Sequence, residues 1–124
     1  MVTYNEYLKN ILKQILSSYN KLKEVEDKDE DLNYIKIEML KINGFLKVVS
    51  NKIDIDKISL SNFSTIKSKF QHYLDNYYFE KEIETMASLY SNDLNRVKNM
   101  RLKILEALEG KNMMEDVEEL IERT

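Results

Sequence analysis

Few residues in this 124-residue chain are equipped for covalent or proton-transfer chemistry. Activated nucleophiles are usually serine or cysteine beside a base, most often histidine. The chain has no cysteine and one histidine, His72. It contains no G-x-S-x-G elbow, P-loop or dinucleotide fingerprint, and Gly44 and Gly110, its only glycines, cannot build a phosphate cradle. His72 lies beside an apolar helical stripe and reads as a surface or boundary residue. These features point away from an enzyme. No catalytic residue is assigned and no cofactor is expected.

Acidic residues raise the question of a metal. Asp27, Asp29, Asp31, Asn33 and Glu38 occupy the spacing of a calcium loop, whose sixth position needs glycine for its sharp turn. That position is Leu32, which also begins an apolar helical stripe. The segment Glu24 to Asp31, with six acids and one lysine, therefore reads as a solvated turn. Paired carboxylates such as Glu118–Glu119 read as an exposed helix face, and a di-iron bundle would need E-x-x-H pairs that do not occur. No metal ligand is assigned.

Two groups of residues are better suited to binding. Tyr73, Tyr77, Tyr78 and Phe79 crowd into seven positions, and not all can face one core. Tyrosine brings a large area with a polar tip and is enriched where proteins meet. The other group, Arg96, Lys98, Arg101 and Lys103, is uninterrupted by acids. Arginine grips phosphate and carboxylate through paired hydrogen bonds. The whole chain nevertheless carries −3, and Glu106 to Thr124 holds seven acids against Lys111 and Arg123. Dedicated nucleic-acid binders are usually basic overall. The basic group is thus expected to meet acidic elements of the fold or of a protein partner, with nucleic acid as the alternative.

These groups must be positioned by helices. Hydrophobic residues make up 43% and charged residues 33%, proline is absent and glycine is scarce. Strand-rich folds need turn residues that this sequence lacks. Thr3 and Glu6 form a capping box, followed by Leu8, Ile11, Leu12, Ile15, Leu16, Tyr19 and Leu22 at helical spacing. This predicts a first helix over Tyr4 to Val25. A second helix is predicted from Leu32 to Ser50, with a seam of Leu32, Ile35, Met39, Ile42, Leu46 and Val49. Ile37, Leu40, Phe45 and Val48 add a second strip, which suggests a central helix or self-association. Gly44 within it suggests a close helix approach. Residues 51–62 alternate isoleucine with polar residues and are expected to form a connector packed by its isoleucines.

The third helix is predicted to start near Ser61 or Asn62, with Phe63, Ile66, Phe70, Tyr73, Leu74 and Tyr77 inward and a break around Asp75 to Glu80. A fourth is predicted to run on to Glu109 along Ile83, Met86, Tyr90, Leu94, Val97, Ile104 and Leu108. Gly110 sits where a left-handed C-cap belongs. Asn112 and Glu115 then open a short last helix carrying Met114, Val117, Leu120 and Ile121.

Part of this pattern resembles a known family. N-F-S-T-I-K-S-K-F-Q-H-Y-L (Asn62 to Leu74) and D-L-N-R-V-K-N-M-R-L-K-I-L-E-A-L (Asp93 to Leu108) are similar to the opening and closing helices of the helical domain of archaeal GINS subunits. The resemblance spans residues 62–110. It implies structural roles for Phe63, Tyr73 and Leu74, places Arg101, Lys103 and Ile104 on the closing helix, and implies a non-catalytic scaffold in a replicative helicase assembly. The chain differs from that family in its longer first 60 residues and in having no room after Gly110 for a small β-domain.

The fold expected is an all-α bundle of four main helices plus a short C-terminal helix, one domain over residues 1–124. With no leader-like N-terminus and no apolar run of about 18 residues, the chain is expected to be cytoplasmic, without a membrane partner. The function expected is protein–protein interaction or assembly through a helical face, as in a scaffold, inhibitor, immunity or phage-encoded protein. The alternative is a small helical nucleic-acid-binding subunit of a larger complex.

Overall fold

The computed structural model describes residues 4–25, 31–52, 63–89 and 93–123. Among them the chain is all helical, in the order α1 (Tyr4–Glu24), α2 (Asp31–Lys52), α3 (Phe63–Asn76), α4 (Phe79–Leu89), α5 (Leu94–Glu109) and α6 (Met113–Arg123). Thr3, most of the acidic turn and the connector over 53–62 lie outside the described residues.

The apolar spacing explains how the helices pack. Leu8, Leu12, Ile15 and Leu22 of α1 are fully buried, as are Ile35, Met39, Ile42, Leu46 and Val49 of α2. A stripe repeating at three and four residues stays on one side of a helix with 3.6 residues per turn. These two helices share the most extensive contact, and α2 also touches α3, α4 and α5. It is the central helix, as its second apolar strip suggested. That strip divides: Phe45 and Val48 lean on the core, whereas Ile37 and Leu40 are exposed. α6 closes the bundle against α1, α3 and α5, burying Met113, Met114, Val117 and Leu120. One hydrophobic core links all six helices.

The bundle differs from the sequence expectation in three places. The predicted fourth helix is two helices, α4 and α5. Asp93 caps α5 in an extended conformation, and its side chain accepts the Arg96 backbone N–H at 3.2 Å. Aspartate takes this role because its carboxylate satisfies a helix-end donor that has no partner within the helix. Leu94, expected inside, is exposed in the first turn of α5. The second difference is at Gly110, which has φ −57° and ψ 142° and is not left-handed. The left-handed residues are Lys111 (φ 57°) and Asn112 (φ 58°), in the tight turn over Gly110–Asn112. Lys69 fastens this turn to α3, reaching the Lys111 carbonyl at 2.9 Å and Asp116 at 2.6 Å. The third is Gly44: a Cβ added there would meet nothing within 4 Å, so no helix of the bundle approaches it.

Candidate partner-binding site at the aromatic corner

The break expected after Asp75 is the corner between α3 and α4. Side chains close the end of α3 where no glycine is available. The Tyr77 backbone N–H donates to the Tyr73 carbonyl at 3.2 Å, the Asn76 amide to the His72 carbonyl at 2.8 Å, and the Tyr78 hydroxyl to the Asp75 carbonyl at 2.9 Å. These bonds supply partners for carbonyls that a helix end leaves open.

The aromatic residues take different places. Phe79 and Tyr73 are buried, Tyr77 is half exposed, and Tyr78 is 68% exposed. Their rings form one group. Tyr77 lies 5.5 Å from Tyr73 and 5.3 Å from Phe79, stacked on Phe79 at 21°, and Tyr73 and Phe79 are 6.3 Å apart. Separations of this order favour offset or tilted pairs. Beneath them the Tyr73 hydroxyl donates to Asn43 Oδ1 of α2 at 2.9 Å, and Asn43 Nδ2 points at Met39 Sδ at 3.1 Å. Burial, then the nearby Glu80 and Tyr77, push the Tyr73 phenol well above the ordinary tyrosine value.

The outer face of this group is a cleft of about 320 Å³, lined by Asn43, Lys47, Leu74, Tyr77, Tyr78, Phe79, Glu80 and Lys81. A Lys47–Glu80 ion pair of 3.8 Å crosses it from α2 to α4. The space suits a large partner side chain, with aromatic walls, an amide floor and charges at the rim. Asn43 and Lys47 come from α2, some thirty residues before the aromatic run, and sequence reasoning missed them. The available signal was Asn43 itself, a polar residue among the buried positions Met39, Ile42 and Leu46.

The basic residues are not brought together. Arg96 pairs with Asp93 at 3.2 Å. Arg101 donates to the Leu22 carbonyl at 3.2 Å, where a cation suits the negative end of α1. Lys103 pairs with Glu82 of α4 at 3.2 Å. Lys98 is exposed. At 3.6 residues per turn, Arg96 and Lys103 share one flank of α5, while Lys98 and Arg101 share the other.

His72 is exposed on α3, and its ring lies 3.2 Å from the Asn76 amide. Glu38, the last position of the calcium-loop spacing, is buried within α2 beside Lys21 and Lys41. No group of three or more metal-ligating side chains occurs among the described residues. No helix among them is long and apolar enough to cross a membrane. No protein-family model, curated protein or solved structure matches the chain.

Proposed function

We propose that the chain is a non-enzymatic interaction or assembly subunit that seats a partner's apolar side chain in the aromatic corner. The observation carrying this reading is the exposure of Tyr77 and Tyr78 over a cleft whose other ring, Phe79, is buried. Interface energy concentrates where aromatic residues line a pocket that a partner can desolvate. The likeness of residues 62–110 to GINS helical domains supports a scaffold role, with a replication complex as one setting. A cytoplasmic location belongs to the same proposal, since a chain without cysteine depends on no oxidising compartment for its fold.

The test is affinity capture from an extract of the source organism, read by mass spectrometry. The wild type is expected to retain one protein specifically, and Tyr77→Ala with Tyr78→Ala to lose it. Arg96→Glu with Lys98→Glu is expected to leave it in place. Salt-dependent retention on DNA or RNA that this charge-reversed pair abolishes would support the nucleic-acid alternative instead. Arg101 is unsuited to that control because it holds the end of α1.

A further inference from the structure

The outward side of α2 carries a second surface, which meets the corner at Lys47. Tyr34, Ile37, Lys41 and Gly44 follow one another at three- and four-residue steps, the spacing of a helix-packing seam. Leu40 flanks them. Tyr34, Ile37 and Leu40 are 40%, 45% and 37% exposed, in a helix that also buries a full core stripe. At Gly44 the surface is open, so a partner backbone has room to approach closely.

Lysines stand out on this side. Lys41, Lys47 and Lys52 of α2 are exposed, and Lys47 pairs with Glu80 of α4 at 3.8 Å. Glu38 is turned inward, 2% exposed. Its Oε1 draws in Lys41 at 3.2 Å and Lys21 at 3.8 Å, and its Oε2 has no hydrogen-bond partner. Lys41 and Lys47 remain about half exposed, so their ammonium groups stay within reach of a partner. A second copy laid on this seam would set lysine against lysine. A complementary partner must bring carboxylates.

We infer that the outward face of α2 docks an acidic amphipathic helix of another protein, its apolar stripe along Tyr34, Ile37, Leu40 and Gly44 and its carboxylates beside Lys41 and Lys47. The seam from Tyr34 to Gly44 runs about 15 Å at the rise of an α-helix, a straight track suited to a helix of about three turns. This inference rests on the reading of the chain as a partner-binding subunit, but not on the corner being the contact.

The probe is a synthetic helix with leucine at heptad a and d positions and glutamate on both flanks, titrated against the full chain by fluorescence anisotropy. Its twin carries lysine in place of glutamate. Phosphatidylserine vesicles and duplex DNA are run in parallel. The glutamate helix is expected to bind, to weaken as salt rises, and to lose about tenfold or more in affinity with Ile37→Glu or Leu40→Glu, a loss of the size that interface anchors show. Both positions are exposed, and circular dichroism checks that the variants keep their helices. Failure of the glutamate helix to bind, equal binding of the lysine twin, indifference to Ile37→Glu, or binding of vesicles or DNA alone would each overturn the inference. If Tyr77→Ala with Tyr78→Ala weakens the glutamate helix while Ile37→Glu does not, the corner reading stands and this one fails. The reverse result supports the α2 face and leaves the corner to its own capture test.

Discussion

Tyr73 joins the core to the cleft. Its ring packs with Tyr77 and Phe79 while its hydroxyl meets Asn43 inside the bundle. Removing the hydroxyl leaves a buried amide oxygen without its donor, and orphaned buried polar groups are costly. Tyr73→Phe is therefore expected to destabilise the fold by about 1–3 kcal/mol, read by urea denaturation. Glu38 is the opposite case. A carboxylate 2% exposed, with one oxygen unpartnered and lysine neighbours half in solvent, gains little from its ion pairs. Apolar side chains of similar volume often replace buried charges at no loss. Glu38→Met is expected to raise stability by about 1 kcal/mol, whereas Glu38→Ala, which leaves a void, is expected to lower it.

At the scale of elements, Gly44 and Lys111 are conformational misfits. Glycine inside a helix costs about 1 kcal/mol relative to alanine, and a Cβ at Gly44 meets open space. Gly44→Ala should thus stabilise α2 by about that amount. Lys111 holds a left-handed backbone that side chains disfavour, so Lys111→Gly should stabilise the α5–α6 turn by roughly 0.5–1 kcal/mol. Both are measurable as shifts in thermal midpoint. The helices were legible because their apolar stripes repeat at three and four residues, as in α1 from Leu8 to Leu22. The division between α4 and α5 was hidden because Ile83, Met86, Tyr90, Leu94 and Val97 continue the stripe in register across it. The local sign was the run Ser91, Asn92 and Asp93, cap and turn residues of which Asp93 caps α5. At the corner the aromatic run was visible as a cluster. Asn43 and Lys47 were not, because which residues of α2 face α3 and α4 is decided by tertiary packing.

At the scale of the molecule, one core runs through the six described helices, of which α4 and α6, at 11 residues each, are too short to be stable alone. Heat or urea is expected to unfold them in a single transition, with far-ultraviolet circular dichroism and tyrosine fluorescence changing together. Alkali should weaken the fold. Tyr73 is raised by burial, then by Glu80 and Tyr77; Tyr19 is raised by burial, then by its 2.6 Å hydrogen bond to Glu109. Both phenols hold their protons more tightly folded than unfolded. Their contribution is whole below pH about 10, where unfolded tyrosine is still neutral, and drains away as pH rises above it. The urea midpoint should fall in that range, and Tyr73→Phe should blunt the fall.

The most direct measurement of the binding reading is a photo-crosslink inside living cells of the source organism. Benzoylphenylalanine is placed at position 78, on the exposed rim of the cleft, and separately at position 98 on α5. A discrete protein adduct from position 78, suppressed when Tyr77→Ala is added, is the result expected. An intact, folded chain that gives no protein adduct at position 78, or that gives adducts to nucleic acid from position 98 alone, would contradict it.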